Sequence, residues 1–291
     1  MGRLTRNFFS GLLSVIFSFV AFGTVTFAWF TLTNVTTIYP FEVDISTVDG
    51  IEIALGDETY SDEWFSDIPL SSVLDYLEDL GYDSLFRLKH VTSPDGVTFK
   101  NLENKIFSDG VTGGYLEFKL RFRSLVGGQS IYITPNTGLS SNTIIWTSDA
   151  NFHNSKGFFI NAGDKVNYYV ANAMRMSFVS NENVIVYERP ESNENTAQGS
   201  TPQVQGAVEY YNAKHGLNPI TIDGVVLADT ITSFVGAPAI VTLPTENPID
   251  RHYQASITIR IWIEGWDSDC IDALLRKNIT IALQFSNIKP E

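Results

Sequence analysis

The amino-acid sequence predicts an all-β protein: an antiparallel, jelly-roll-type β-sandwich with one or two short helical insertions, preceded by a hydrophobic N-terminal signal or anchor helix. Three observations support this prediction. Apolar and polar residues alternate with a period of two in several segments, helical patterns are few, and turn residues recur along the chain. Because 44% of the 291 residues are hydrophobic, the chain can also supply a large core.

The strands are predicted from segments in which apolar and polar residues alternate. Residues 116–123, 257–264 and 279–285 each place apolar side chains on one face and mostly polar side chains on the other. Strands buried on both faces read as continuous apolar runs, so this alternation favours antiparallel sheets with one solvated face. The other predicted strands are 166–178, which Asn172 interrupts, and 130–134, 143–147, 157–161 and 183–188.

Two short helical insertions are predicted between the strands. Residues 70–80 carry leucine and valine at helical spacing, with Ser71 or Ser72 as the N-cap and Gly81 as the stop signal. The second predicted helix covers residues 269–275, where aspartates favour a helix N-terminus. Neither pattern indicates a separate helical domain.

The beginning of the chain predicts export. Arg3 and Arg6 precede a segment that carries no charged residue from Asn7 to Phe41. A short basic head before an apolar segment is typical of an export signal, since the arginines stay on the cytoplasmic side while the apolar residues enter the bilayer. The sequence therefore predicts an extracellular or cell-surface protein.

Two interpretations of this apolar segment stay open. A signal peptide over residues 1–28 would be cleaved between Ala28 and Trp29, because Thr26 and Ala28 are small residues at the two positions that a signal peptidase reads. The alternative is an uncleaved membrane anchor, since residues 8–30 are long enough for a spanning helix, which needs about 20 residues. A signal peptidase is thus a predicted partner during export.

The charge of the chain argues against two classes of partner. A formal net charge of −14 does not suit nucleic acid, whose phosphates require a basic protein surface. The same charge does not suit docking on anionic lipid headgroups. We therefore expect contact with a membrane only through the N-terminal segment.

The sequence contains no recognisable catalytic motif. None of His90, His153, His215 and His252 belongs to a His-Glu-x-x-His zinc motif, and Gly-x-Ser-x-Gly and phosphate-binding loops are missing. The single cysteine, Cys270, has no histidine in its local segment and is predicted to be a small buried hydrophobe. The sequence thus predicts a non-enzymatic protein without a catalytic residue or a required cofactor.

One acidic segment could bind a metal ion. Asp267, Asp269 and Asp272 lie on a predicted turn that enters a helix, where their carboxylates could supply oxygens to calcium. The simpler alternative is that Asp267 or Ser268 caps the helix. The segment lacks the glycine and the distal glutamate of an EF-hand loop, so capping is the favoured interpretation.

The chain divides into three predicted parts. Residues 1–28 form the signal peptide or anchor, residues 29–48 form an N-terminal strand segment, and residues 49–291 form the β-sandwich domain. Within this domain, residues 188–206 are rich in proline, serine, asparagine, glutamine and glutamate, a composition that predicts a mobile loop.

The start of the chain resembles a known family of secreted proteins. Gly23-Thr24, Ala28 and Phe30 are similar, with different spacing, to the Gly-Thr-x-Ala-x-Phe pattern that closes the leaders of the TasA and camelysin family of Gram-positive bacteria. A dedicated, SipW-type signal peptidase processes that family. Residues 260–267 also resemble a segment of uncharacterised secreted proteins of Firmicutes.

The resemblance implies a jelly-roll subunit that polymerises into surface, extracellular-matrix or biofilm fibres. Each subunit would lend its freed N-terminal strand to the open sheet of the next copy, so the predicted partner is the protein itself. The assembly residues would be those of the apolar, β-prone stretch after the cleavage site: Val35, Ile38, Phe41, Val43 and Ile45. The alternative left open is that residues 35–48 form the first strand of their own domain.

Two other functions also stay open. The first is a surface adhesin or carbohydrate-binding module, since β-sandwiches often present aromatic residues on one sheet face. The second is a membrane-anchored surface protein with protease activity, which only the family analogy suggests.

Overall fold

A computed structural model describes residues 41–82, 88–101, 106–107, 114–190, 202–216, 219–274 and 279–291. These residues are mostly β-structure in several sheets, with two α-helices. Neither of the two helices in this part of the chain is long and apolar enough to cross a bilayer. The predicted signal or anchor helix, residues 1–28, lies outside the described residues.

The described strands and helices are bounded as follows. The strands are β1 Phe41–Thr47, β2 Glu52–Leu55, β3 Asp67–Ile68, β4 His90–Thr92, β5 Phe99–Asn101, β6 Ile106–Phe107, β7 Leu116–Ser124, β8 Ser130–Ile133, β9 Gly138–Ser141, β10 Thr143–Thr147, β11 Phe152–His153, β12 Phe159–Ile160, β13 Lys165–Tyr169, β14 Met174–Val179, β15 Val184–Glu188, β16 Val241–Thr242, β17 Tyr253–Glu264 and β18 Ile279–Ser286. The α-helices are α1 Leu70–Asp79 and α2 Ala207–His215, and single 3₁₀ turns cover Val170–Ala173 and Asp272–Leu274.

The first sheet contains the two ends of the described chain. Its strand order is β16-β8-β18-β1-β3, and β9 also pairs with β18. β1 runs parallel to β18, from Phe41 opposite Ile279 to Thr47 opposite Phe285. The other described pairs of this sheet are antiparallel.

The second sheet is organised around β17, the longest described strand. β14 borders one edge of β17, and β7 and then β4 border the other edge. β15 extends the sheet beyond β14, β2 lies beside β7, and β5 and β6 follow β4. Most pairs are antiparallel, as predicted, but the pairs β1–β18 and β17–β4 are parallel. Two separate two-stranded sheets, β10–β13 and β11–β12, complete the described β-structure.

One hydrophobic core joins the inner faces of the two large sheets. Ile259 and Ile261 of β17 and Ile281 of β18 are fully buried and belong to the same cluster. The ring of Phe285 meets the edge of the Phe122 ring at a centroid distance of 4.9 Å. The alternating residues that predicted the strands are therefore the residues that hold the two sheets together.

The predicted strands are confirmed within the described residues. Segments 116–123, 257–264 and 279–285 correspond to β7, β17 and β18. The long segment 166–178 is β13 and β14, separated by the 3₁₀ turn that contains Asn172. The four shorter predicted strands correspond to β8, β10, β12 and β15.

The helix predictions are partly wrong. α1 lies where predicted, and Gly81 follows it with φ 91°, the conformation that favours glycine as a stop. Its N-cap, however, is Pro69, with no side-chain hydrogen bond, so neither Ser71 nor Ser72 caps it. Within predicted helix 269–275, the described residues form only the turn Asp272–Leu274, and α2 was not predicted.

The residues at the two ends of the predicted mobile loop 188–206 are described and make specific contacts. Glu188 is the last residue of β15 and is 4% exposed. At the other end, Gly206 donates its backbone N–H to the carbonyl oxygen of His153, immediately before α2 begins. Residues 191–201 lie outside the described residues.

Candidate functional site

A cleft of 410 Å³ lies where the ribbon β10–β13, the hairpin β11–β12 and the turn after β17 meet. The ribbon is antiparallel and pairs Ile145 with Asn167 and Trp146 with Val166. Alternation along the ribbon leaves Thr143 and Asn167 exposed, while Tyr168 is buried on the other face. Thr143, Trp146, Asn167 and Tyr168 all line the cleft.

Aromatic packing fixes the apolar wall of the cleft. The Trp146 ring meets the Phe152 and Tyr210 rings edge-on, at centroid distances of 6.2 and 5.6 Å. Phe152 and Tyr210 meet each other at 5.1 Å, so the three rings form a closed set. Edge-on packing of this kind adds to the stabilisation from burial and holds the indole of Trp146 in place.

Hydrogen bonds fix the polar part of the cleft. The Ser155 hydroxyl donates to Asp269 Oδ1 at 2.8 Å, and the Tyr168 hydroxyl donates to the backbone carbonyl of Asp269. On another wall, Arg189 Nη1 donates to Asn172 Oδ1 at 2.7 Å. The Arg189 guanidinium also lies 4.0 Å from the centre of the Tyr169 ring, within the range of a cation–π contact.

A charged network behind the cleft attaches α2 to the rest of the protein. Lys214 Nζ lies 2.7 Å from Asp149 Oδ2 and 2.6 Å from Asp272 Oδ2. The Tyr210 hydroxyl donates to Asp149 Oδ1 at 2.7 Å. Burial opposes ionisation of Asp149, but the hydrogen bonds from Lys214 and Tyr210 outweigh it and lower the Asp149 pKa. Burial also opposes the charge on Lys214, yet its two carboxylate partners raise the Lys214 pKa.

A second polar cluster is buried in the protein. Arg175, in β14, is fully buried, and its Nη2 lies 3.3 Å from Glu188 Oε2 and 3.8 Å from Asp267 Oδ2. None of the three guanidinium nitrogens makes a hydrogen bond with a described residue. Glu264, also fully buried, accepts from Trp262 Nε1 at 3.1 Å. One cation thus compensates a group of buried acids, which we call the charge cluster: Arg175, Glu188, Glu264 and Asp267.

Burial is the main cause of the shifted pKa values of Glu264, Asp267, His90 and Cys270. It raises the pKa of Glu264, against the opposing charge of Arg175. Burial raises the pKa of Asp267 as well, and the neighbouring Glu188 adds to this effect. Burial lowers the pKa of His90 to about 4, so the imidazole is neutral at pH 7. Burial also raises the pKa of the Cys270 thiol, which agrees with its predicted role as a small buried residue.

The structure gives different partners to the three aspartates predicted for calcium. Asp267 faces Arg175, Asp269 accepts from Ser155, and Asp272 contacts Lys214. Among the residues described, no group of three histidine, cysteine, aspartate or glutamate side chains could hold a metal ion. Asp267 Oδ1 also accepts from the backbone N–H of Asp269 at 2.9 Å, so it organises a turn, which is close to the capping alternative.

The predicted assembly residues lie partly inside the described chain. Val43 and Ile45 are buried in β1, 4% and 0% exposed, and Phe41 is the first residue of that strand. Val35, Ile38, and the predicted cleavage residues Ala28 and Trp29 lie outside the described residues. β3 pairs only with Ile45 and Ser46. Within the described chain, no strand therefore pairs with Phe41–Asp44 on the side opposite β18.

Sequence analysis missed the charge cluster and the network around Lys214. Arg175 lies between Met174 and Met176 in a predicted strand, and alternation alone assigns it to the solvent face. Its partner Glu188 lies directly opposite it in the β14–β15 hairpin, so pairing the two predicted strands could have indicated this contact. Its other partner, Asp267, is distant in sequence and left no spacing signal.

The residues that carry the resemblance to the TasA and camelysin family, Gly23-Thr24, Ala28 and Phe30, lie outside the described part of the chain. Comparison of the chain with protein-family models, with curated proteins and with solved structures found no match.

Proposed function

We propose that this chain is an exported, non-enzymatic subunit that assembles with copies of itself at the cell surface or in the extracellular matrix. The observation that carries the proposal is the position of β1. This strand directly follows the uncharged segment from Asn7 and lies inside a sheet, and no described strand pairs with the outer edge of Phe41–Asp44. The proposed role requires neither a catalytic residue nor a cofactor.

The proposal includes a finer description of the fold. The two large sheets would form a jelly-roll-type sandwich, which the hydrophobic cluster common to both sheets supports. Export would proceed through residues 1–28, with cleavage by a signal peptidase between Ala28 and Trp29. The membrane would be contacted only by this N-terminal segment.

The donated part of the chain would be residues 29–40. Because Phe41–Thr47 already pairs with β18 and β3 of its own sheet, we assign donation to the residues before it, which lie outside the described chain. Burying side chains such as Val35 and Ile38 contributes about 1.5–3 kcal/mol each, whereas ordering the backbone costs about 1–2 kcal/mol per residue. Donation therefore needs a preformed sheet edge, which also supplies backbone hydrogen bonds.

Two measurements test this proposal. N-terminal sequencing of the exported protein should give Trp29, whereas Met1 would indicate a retained anchor. Negative-stain electron microscopy of the exported protein should show fibres.

A pair of matched double variants assigns assembly to the donated segment. Val35→Asp with Ile38→Asp should leave monomers, because two charges cannot enter an apolar groove without a cost. Val226→Asp with Ile288→Asp makes the same changes at residues that are 56% and 63% exposed, and should still form fibres. Wild-type monomers at high concentration, or fibres of the first variant, would contradict the proposal.

A further inference from the structure

We propose that the 410 Å³ cleft between the ribbon β10–β13, the hairpin β11–β12 and the turn after β17 binds the end of a glycan chain. The inference is independent of the proposed assembly through residues 29–40. It rests on the size of the cleft, on the fixed positions of its walls and on the chemistry of its lining.

The size and the mixed lining fit a small, hydroxyl-rich ligand. Small-molecule sites have volumes of about 300–1,000 Å³ and combine apolar walls with a few placed polar groups. The cleft has 410 Å³ and combines the rings of Trp146 and Tyr169 with the polar side chains of Thr143, Asn167 and Lys156. It can therefore enclose part of a chain but not a folded partner.

The walls of the cleft are held before any ligand arrives. Trp146 is packed between Phe152 and Tyr210, and Asp269 is tied to Ser155. Arg189 is fixed by Asn172 on one side and by the Tyr169 ring on the other. A site with fixed side chains loses little conformational entropy on binding, and this favours recognition of a weakly held ligand such as a sugar.

The chemistry of the lining selects sugars over other ligands. A sugar hydroxyl both donates and accepts, and the lining offers an amide at Asn167 and a hydroxyl at Thr143. The carbon-bound hydrogens of a sugar ring can pack on an aromatic wall. The lining contains the acidic Asp269 as well as the cations Lys156 and Arg189, and this mixed charge does not favour a polyanion such as a nucleic acid.

Exposed residues inside and outside the cleft provide a test variant and a matched control. Thr143 and Thr147 lie on the same exposed face of β10, but only Thr143 lines the cleft. Asn167 lines the cleft and is exposed, whereas the exposed Asn181 lies outside it. The test variant is Thr143→Ala with Asn167→Ala, and the matched control is Thr147→Ala with Asn181→Ala.

The exported wild-type protein is first applied to an array of β-glucan, mannan and chitin oligosaccharides, together with a peptide array. The best oligosaccharide is then titrated by calorimetry against wild type and both variants. We expect binding to a glycan, weakened about tenfold or more in the test variant and unchanged in the control, because two hydrogen bonds are lost only in the former.

Three outcomes would overturn the inference: no oligosaccharide bound, binding to peptides alone, or equal weakening in both variants. Circular dichroism of the two variants should be identical to that of wild type. A protein that binds no glycan but forms fibres would refute only the cleft, and the converse would refute only the assembly.

Discussion

The two faces of the second sheet differ in how they are buried. On the inner face of β17, Ile257, Ile259 and Ile261 pack into the apolar core. On the other face, Trp262 is also fully buried, but there it packs against Phe99 at 5.1 Å and donates to Glu264. Burial on the inner face needs only apolar surface. Burial on the outer face includes charged groups and therefore depends on their partners.

Strand β14 shows the difference between the face on which a side chain lies and its exposure to solvent. In β14, Met174 and Met176 face the core, whereas Arg175 and Ser177 face the other side and are nevertheless fully buried. The Ser177 hydroxyl donates to the carbonyl oxygen of Gly96 at 2.6 Å, so a loop far away in sequence covers this face. Alternation indicates the face on which a side chain lies, but distant segments decide whether that face is exposed.

The largest expected effect is that of removing the only cation of the charge cluster. Arg175→Met leaves Glu188, Glu264 and Asp267 buried without a compensating charge, and we expect the free energy of unfolding at pH 7 to fall by about 3–5 kcal/mol. The loss should be smaller at pH 5, because raised pKa values shift Glu264 and Asp267 towards their neutral forms as the pH falls. Urea unfolding at both pH values measures it.

An apolar substitution of similar cost serves as the control for this prediction. Phe285 is fully buried against Phe122 and Phe178, and Phe285→Ala should cost about 3–5 kcal/mol. This cost should be the same at pH 5 and pH 7, because no charge is involved. Equal pH dependence in the two variants would show that burial in the apolar core and burial in the charge cluster do not differ in the proposed way.

An intermediate change in the free energy of unfolding is expected from the protonation of His90. Its pKa is about 4 in the folded protein and near 6.5 when unfolded, so the unfolded state binds more protons between these values and stability falls as the pH falls. This group alone should cost about 2 kcal/mol between pH 7 and pH 5.

The variant His90→Leu separates this contribution from that of the acids. Glu264 and Asp267 act in the opposite direction, because their raised pKa values stabilise the folded protein at low pH and this stabilisation is lost as the pH rises. Relative to wild type, His90→Leu should therefore gain stability at pH 5 compared with pH 7. A pH dependence identical to that of wild type would contradict the assignment.

The smallest expected change in the free energy of unfolding comes from removing the charge of Lys214 in the network that attaches α2. The side chains of Lys214 and Asp149 are 30% and 53% exposed, and solvent screens their interaction. Lys214→Met should lower the free energy of unfolding by about 1 kcal/mol or less, and thermal unfolding at low salt measures the shift. A loss as large as that of Arg175→Met would mean that exposure does not distinguish the two clusters.

Local patterns were sufficient for the longer strands of the two large sheets, such as β7, β14, β17 and β18, because each of these has one face in the apolar core. They were not sufficient for α2, in which Ala207, Val208, Tyr210 and Tyr211 are all buried and no single apolar stripe marks the helix. Of the residues that line the cleft, only Asp269 was a predicted site residue, as a candidate calcium ligand. Its contact with Ser155 depends on the tertiary fold. Such contacts between distant segments leave no spacing signal.

The parallel pairing of β1 with β18 has a consequence for the order of folding. The first and last described strands are direct neighbours, so this sheet cannot close until the C-terminal end of the chain is available. Pairing between such distant segments is slow, because a long loop must close before the contact is made. A sheet arranged in this way can be completed only after β18 has been synthesised, so its completion follows the synthesis of nearly all the described strands.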